Sequence, residues 1–458
     1  MDSKQSAPVD TSTSDYVKIF RQSSPYIHAH RGKTFVIMLS GETLADTHFA
    51  NIVNDIALLS SLGVRLVLVH GARPQINQRV MERGLNCRFQ GHQRITSKPV
   101  LECVKEAVGS LRVKVESQFS MGLINSPMHG SRIRVVSGNF VTARPLGVVD
   151  GIDFQHTGEV RRIDQKAIVQ QLDRGNVVLL SCLGYSATGE AFNLPVENVA
   201  TSTAARLNAE KLIMFSNQHG ILDHDGRILR TMRPSMAREW LEDMTDPEGV
   251  RLLSAAVEAC NAGVNRSHIV SHAVDGSLLQ ELFTREGDGT LITRDMDAYE
   301  HLRPATINDI GGIIELIRPL EEKGVLVRRS RKALEREISC FTVAVRDGMI
   351  IGCASLLPFA DSTSAELACV VVHPDYRNGN RGDILLEQIE QQAVQQGITH
   401  LYVLTTRTAH WFIERGFTPA PLSALPEEKR ALYNKDRKSK VFVKPVAITS
   451  EVAITQAE

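Results

Sequence analysis

The stretch Val370-Val371-Val372-His373-Pro374-Asp375-Tyr376-Arg377-Asn378-Gly379-Asn380-Arg381-Gly382-Asp383 carries the residue types that an anionic cofactor needs. An apolar run ends in a His-Pro turn, a basic glycine-containing loop follows, and a helix is predicted to begin beside Asp383. Free backbone N–H groups at a helix start attract an anion. Arg377 and Arg381 add positive charge, while Gly379 and Gly382 let the backbone approach closely. A pyrophosphate suits this combination, with Arg377, Asn378, Gly379, Asn380, Arg381 and Gly382 as its contacts. The competing reading is a solvated basic turn.

Such a loop needs a strand to deliver it and a helix to carry the chain away. Two apolar runs flanking Asp347-Gly348, in FTVAVRDGMIIGCASLLPF, predict a β-hairpin. ELACVVVHP predicts a third strand, residues 383–396 a helix, and HLYVLTT (400–406) a fourth strand. Helices are also predicted over 308–318 and 330–338. Residues 303–446 therefore read as a smaller α+β domain with a mostly antiparallel sheet.

The chain before it has a different rhythm. FVIML (35–39) ends in Ser40-Gly41, VRLVLVHG (64–71) repeats the move, and IRVVSG (133–138), NVVLLSC (176–182), KLIMFS (211–216) and HIVS (268–271) continue the series. Continuous β-branched runs belong to strands buried on both faces of a parallel sheet. One doubly wound, mostly parallel α/β domain is predicted over 32–293, with helices around 52–59 and 198–209. The polar segment 294–302 reads as a linker. Tyr16, Ile19 and Phe20 share one helical face, which predicts an N-terminal helix over 15–31 packed either on its own domain or on a second subunit. Residues 1–14 read as a disordered tail and 447–458 as a second tail.

At 458 residues the chain exceeds one ordinary core, and about 150 residues per domain gives about three. Its 52 Lys and Arg balance 52 Asp and Glu, which argues against a nucleic-acid partner or a polybasic membrane binder. Seven cysteines without a C-x-x-C pair predict free thiols in a reducing cytosol, with no zinc ribbon and no disulfide framework. No apolar run approaches 18 residues, and the first residues are polar. A cytoplasmic protein without metal or membrane span is expected.

Residues 303–446 resemble the GNAT acetyltransferase superfamily. Val372-His373-Pro374 matches the strand end that precedes that family's pyrophosphate motif, Gln/Arg-x-x-Gly-x-Gly/Ala. Arg377 fills the first motif position and Gly382 the last; Asn380 replaces the middle glycine, with Gly379 beside it. Trp411-Phe412-Ile413-Glu414-Arg415-Gly416-Phe417 is similar to the family's second motif. The resemblance implies acetyl-CoA as co-substrate, its pantetheine arm lying between splayed strands 366–372 and 400–406 against the backbone of Cys369, Val370, Val371 and Val372. Cys369 is then wall rather than nucleophile, because direct transfer needs no acyl-enzyme.

Acetylating an amine calls for a base and an acid. Glu366, at the start of the cofactor strand, is the candidate base, directly or through water. Thr405, at the end of the opposite strand, is the candidate acid, with Tyr433 as the alternative. Strand amides near Cys369 and Val370 are expected to meet the carbonyl oxygen. Arg329, with Val327 beside it, and Arg437 with Lys438 form two cationic clusters that suit an acceptor bearing two carboxylates, glutamate or aspartate.

Residues 34–293 resemble the amino-acid kinase family, but with four departures. Met38-Leu39-Ser40-Gly41 stands where that family has Lys-x-Gly-Gly, and a methionine cannot neutralise a transferring phosphoryl group. His70-Gly71-Ala72-Arg73-Pro74 replaces His-Gly-Gly-Gly-Pro, which predicts that Arg73 intrudes. Pro195-Val196-Glu197 replaces Asn-Ala-Asp, and Ser216-Asn217 replaces Thr-Asp. A kinase fold without kinase residues, joined to an acetyltransferase, resembles the bacterial N-acetylglutamate synthases over residues 15–446. That resemblance implies acetylation of L-glutamate in arginine biosynthesis, inhibition by L-arginine at the kinase-like domain, and a homo-hexamer assembled through N-terminal helices. It implies an effector site drawing on Tyr16, Tyr26 in a Ser24-Pro25-Tyr26 turn, His268, Ser271, Glu281 and Gly287. A bifunctional synthase and kinase, or a non-catalytic arginine sensor, are the alternatives.

Overall fold

The continuous apolar runs of the N-terminal half become one sheet. Its strands are β1 (Thr34–Leu39), β2 (Arg65–His70), β3 (Val135–Ser137), β4 (Val177–Ser181), β5 (Lys211–Ser216), β6 (Thr231–Met232), β7 (Arg266–Ser271) and β8 (Thr290–Thr293). They lie in the order β6-β8-β7-β5-β1-β2-β4-β3, parallel except between β7 and β8. Side chains of one strand feed two separate cores: Phe35, Ile37 and Leu39 enter one, Val36 and Met38 the other. That division is why the runs are apolar at every position rather than at alternate ones. The computed structural model describes residues 13–120, 133–284, 286–294, 300–346, 348–360, 363–377, 380–435 and 437–446. It divides into two compact units near residue 295. The two tails, the turn residue Asp347, and Asn378 and Gly379 lie wholly or largely outside the described residues.

Helices cover both faces of the first sheet. α1 (Thr13–His30), α2 (Phe49–Ser61), α3 (Arg73–Glu82), α4 (Lys98–Ser120) and, further on, α7 (Ser277–Phe283) contribute to the Phe35 side, while α5 (Val196–Arg206) and α6 (Pro247–Asn261) cover the other. In α4, Val100, Val104, Ala107, Val108, Leu111 and Val115 form the buried stripe at helical spacing. The sequence reading places Pro25 in a turn, but α1 runs through it. The missing Pro25 N–H costs one intrahelical bond, and the helix continues because its C-terminal end is anchored. Tyr26 and Ile27 pack on the core, and the buried His30 donates through Nε2 to the Leu282 carbonyl at 2.8 Å. Val17 and Ile19, nearer the start, are exposed.

The second unit holds β9 (Glu300–Pro304), β10 (Phe341–Arg346), β11 (Met349–Pro358), β12 (Ser364–Val372), β13 (His400–Thr405), β14 (Thr418–Ala420) and β15 (Lys440–Pro445). Their order is β9-β10-β11-β12-β13-β15-β14, and β12 and β13 are the parallel pair. α8 (Ile310–Glu322) and α9 (Arg331–Glu337) precede β10, α10 (Arg381–Gln395) joins β12 to β13, and α11 (Ala409–Ile413) and α12 (Glu427–Ala431) follow. One expectation is corrected here: part of the presumed linker is strand β9, paired antiparallel with β10. Its residues are polar because the strand forms a sheet edge and its charges are paired, Glu300 with Arg381 and Arg303 with Asp309. The helix after the basic loop also starts two residues before the predicted position, at Arg381.

Candidate active site

β12 and β13 pair only over residues 364–366 and 400–402, and beyond Glu366 and Tyr402 they part. A bulge widens the fork. Cys353 faces Val371 while Ser355 faces Ala368, so β12 carries one extra residue, and Cys369 takes a left-handed conformation at φ 50°. That conformation costs a non-glycine residue about 1–2 kcal/mol, and such strain collects where function needs it. Ser355 Oγ donates to the Ala368 carbonyl at 3.1 Å, and Cys353 Sγ lies 3.5 Å from the Cys369 carbonyl oxygen. Both contacts hold bulge carbonyls toward β11. The fork opens into a cleft of about 790 Å³ lined by Cys369, Val370, Val371 and Val372, with Val403 and Leu404 opposite. Burial pushes the Cys369 thiol up, away from the thiolate that a nucleophile requires.

Past β12 the chain turns through residues 374–376 into the basic loop. Asn380 adopts φ 53° and caps α10, which accounts for asparagine in place of the motif glycine: its short polar side chain tolerates the left-handed region. Gly382 has a separate requirement, since a Cβ there would stand 3.0 Å from the Trp411 ring. Arg415 stacks over that ring, 4.1 Å from its centroid, and pairs with Asp383. Arg377 is exposed at the cleft with its Nε 3.4 Å from the Val372 carbonyl. The Arg381 side chain departs from expectation. It turns away from the cleft to a bidentate bond with Glu300, because a half-buried carboxylate holds a guanidinium more tightly than an open loop does.

At the fork, Glu366 is buried and its Oε2 lies 2.5 Å from Lys429 Nζ. Thr405 is also buried and lines the cleft. Its hydroxyl accepts the Thr408 N–H at 3.1 Å and shares a proton with the exposed Thr408 hydroxyl at 2.9 Å. Tyr433 lines the cleft too, but its hydroxyl donates to the Ser439 carbonyl at 2.8 Å. The two cationic clusters do come together. Arg437 donates to the carbonyls of Gly324 and Val325, at 3.4 and 2.9 Å, stitching the C-terminal loop to the turn that presents Val327 and Arg329. Arg329 lines the cleft and pairs with Glu337, while its amide donates to Glu321 at 2.8 Å. Lys438, expected beside Arg437, is not in the lining; a positive φ of 48° turns the chain there. Sequence reading did not single out Lys429, Thr408 or Arg407, which sit in short polar segments that look like surface until the fold brings them to the cleft.

The expected effector residues cluster in the first unit around α7. The Glu281 side chain is buried, with Oε1 2.6 Å from His268 Nδ1 and Oε2 accepting the amides of Asp288 and Gly289 at 2.7 and 2.9 Å. Burial alone would raise the Glu281 carboxyl; His268 and the two amides outweigh it and hold it below its ordinary value. The other ring nitrogen of His268 lies 3.2 Å from Lys211 Nζ, a cation that the sequence reading did not place here. Gly287 takes φ 63°, where only glycine is at ease and where a Cβ would collide with Glu281. Ser271 Oγ accepts the Ala273 amide at 3.2 Å and so caps the end of β7. Tyr26 lies 6.3 Å from the His30 ring, on the helix that reaches α7; the Tyr16 side chain is outside the described residues.

A second cavity, of about 330 Å³, lies at the C-terminal ends of β1 and β2, where doubly wound sheets bind ligands. Met38 stands at its wall where a cation would neutralise phosphate. Arg73 enters the lining and donates to the His92 carbonyl at 3.1 Å. Glu197 pairs with Arg251 at 3.0 Å, and Glu248 accepts the Asn217 amide at 3.3 Å. Carboxylates at both places oppose a polyphosphate. No described helix is long and apolar enough to cross a membrane, and the described residues hold no group of three or more His, Cys, Asp or Glu placed for a metal.

Comparison with known proteins identifies both units. Residues 33–271 match the amino acid kinase family and residues 312–417 the acetyltransferase (GNAT) family. The chain is 58% identical to the amino-acid acetyltransferase of Azotobacter vinelandii, over 94% of this chain and 99% of that one. It is 56% identical to that of Pseudomonas putida, over 94% and 100%. Among solved structures it resembles N-acetylglutamate synthase from Neisseria gonorrhoeae complexed with coenzyme A and L-arginine, at 39% identity and a TM-score of 0.82, covering 94% of this chain and 99% of that one. The same synthase complexed with coenzyme A and N-acetyl-glutamate gives a TM-score of 0.60 at the same identity and coverage. With kinase-like and acetyltransferase units in this order and relatives matched along nearly their whole length, the chain belongs to the N-acetylglutamate synthase family of amino-acid acetyltransferases.

Proposed function

We propose that this enzyme transfers the acetyl group of acetyl-CoA to the α-amine of L-glutamate as the first step of arginine synthesis, and that L-arginine inhibits it at the kinase-like unit. The observation that carries the first part is the placement of Glu366 at the parting of β12 and β13, facing a cleft that gathers Arg329 and Arg437 from distant parts of the chain. The donor's pantetheine amides would pair with the exposed edge of the bulged strand, and its diphosphate would meet Arg377 and the start of α10. The two arginines suit an acceptor with two carboxylates. Glu366 then takes the amine proton, with Lys429 as its ion-pair partner. The departing thiolate receives a proton from Thr405. A threonine hydroxyl is a poor acid alone, and the Thr408 hydroxyl supplies the link to solvent that it requires. Tyr433 is the weaker candidate because its proton is committed to the Ser439 carbonyl.

The kinase-like unit acts as a sensor in this reading. Met38 and the acidic residues of its cavity oppose phosphoryl transfer, which speaks against a second, kinase activity. Glu281, His268 and Lys211, with the 287–289 loop that Glu281 holds, gather both charge signs within one small volume, as an amino acid with a guanidinium tail requires. The exposed Val17 and Ile19 of α1 suit assembly through N-terminal helices into a homo-hexamer. The deciding experiment is thiol release from acetyl-CoA across an amino-acid panel, with and without arginine. Glutamate should be preferred over aspartate, and arginine should suppress the rate. Release with no amino acid preferred would remove the acceptor assignment.

A further inference from the structure

Arg381 leaves the cleft for a contact that ties three elements together. Its Nε and Nη2 lie 2.6 and 2.9 Å from the two carboxylate oxygens of Glu300, the first residue of β9. Arg346, at the end of β10, donates to the same carboxylate at 3.2 Å. Both guanidiniums lie over the Tyr376 ring, 5.5 and 5.6 Å from its centroid, and Arg381 Nη1 donates to the Tyr376 carbonyl at 3.2 Å. Tyr376 sits in the turn that begins the basic loop, and Arg381 is the first residue of α10. One carboxylate therefore anchors both ends of that loop to the edge of the sheet.

The helix start is held from its other side as well. Asp383 pairs with Arg415, which stacks on Trp411, and Gly382 admits the Trp411 ring. Glu300 is not among the residues that line the cleft. Its role is geometric: its two carboxylate oxygens hold Arg381, which in turn holds the Tyr376 carbonyl. Burial would raise the Glu300 carboxyl, but the hydrogen bonds and charges of the two arginines outweigh it and keep it ionised.

We propose that Glu300 is a positioning residue for the donor's diphosphate: through Arg381 and Tyr376 it fixes the first turn of α10 so that the backbone amides there stay aimed at the cleft. The proposal rests on reading Arg377 and the start of α10 as the diphosphate site. Amides fixed in advance bind an anion without reorganising, so their disorder should appear in donor binding and not in the chemical step.

The test compares acetyl-CoA with S-acetylpantetheine, which keeps the thioester and the pantetheine amides but has no diphosphate. Glu300→Gln should raise the KM for acetyl-CoA by about tenfold, keep kcat within about twofold and leave S-acetylpantetheine kinetics unchanged. Glu300→Asp should restore most of the donor affinity. Equal losses with both donors, or an unaltered acetyl-CoA KM in the folded variant, would overturn the proposal. Should Glu300→Gln fail to fold, Arg381→Met, which keeps Glu300 paired with Arg346, is expected to show the same donor-selective loss. Arg377→Ala separates the two layers of the argument. If it raises the acetyl-CoA KM while Glu300→Gln does not, only the positioning role fails; if neither variant does, the loop is not the diphosphate site.

Discussion

The Lys429 ammonium stands 2.5 Å from the Glu366 carboxylate at the point where two neighbouring strands separate. The pair puts a proton acceptor, with its counter-charge, at the mouth of the bulge formed by Cys369. Removing the acceptor should slow the chemical step without disturbing the donor. Glu366→Gln is expected to lower kcat by about 100-fold, a magnitude typical of a lost general base, while acetyl-CoA binding measured by calorimetry stays the same. A variant with unaltered turnover across the pH range would show that the amine loses its proton elsewhere.

Thr405 and Tyr433 make different predictions as proton donors. Thr405 shares its hydroxyl proton with exposed Thr408, whereas Tyr433 donates to the Ser439 carbonyl. Thr405→Val should therefore reduce kcat by about tenfold or more, and Tyr433→Phe by less. Steady-state rates at saturating substrates decide between them, and the reverse order would transfer the acid role to the tyrosine.

Glu281 holds the 287–289 loop by two backbone amides and holds His268 by one ring nitrogen. Glu281→Ala should release that loop and weaken arginine inhibition by about tenfold or more, since it deletes charge-assisted bonds. The uninhibited rate should stay within about twofold of wild type. Dose–response curves for arginine provide the measurement; an unshifted midpoint would move the effector site away from α7.

His30 couples the end of α1 to α7 and is buried, and burial with the nearby Lys211 charge pushes its pKa down from 6.5 to about 4. The sign follows from linkage. A histidine kept neutral in the folded state binds its proton more readily when unfolded, so its contribution is complete above about pH 6.5 and is lost as pH falls toward 4. The loss for this group is about 3 kcal/mol at most. Hydrogen-exchange protection of α1 should drop through that window in the wild type and drop less in His30→Gln. Parallel profiles would mean that His30 titrates normally.

Much of the architecture was legible in the chain. Runs such as FVIML and VRLVLVHG feed cores on both sides of a sheet, which leaves no room for polar alternation and announces parallel strands under helices. The His-Pro turn and the basic, glycine-containing loop announce a helix start, which the structure places at Arg381. Local chemistry is what a sequence carries, and these features are local. Pairings between distant charges are not. Strand β9 looked like linker because Glu300 and Arg303 are polar, yet both are paired within the second unit. Arg381 looked like a phosphate ligand until Glu300, 81 residues away, claimed its guanidinium. Lys429 gave no signal at all, being one charge in a charged helix, and became part of the candidate site only when the fold laid that helix across Glu366. Residue type and near-neighbour spacing thus determined the family, the strands and the basic loop before α10, while tertiary structure decided which charges face the cleft and which face one another, because each guanidinium or ammonium goes to the partner that folding brings within reach.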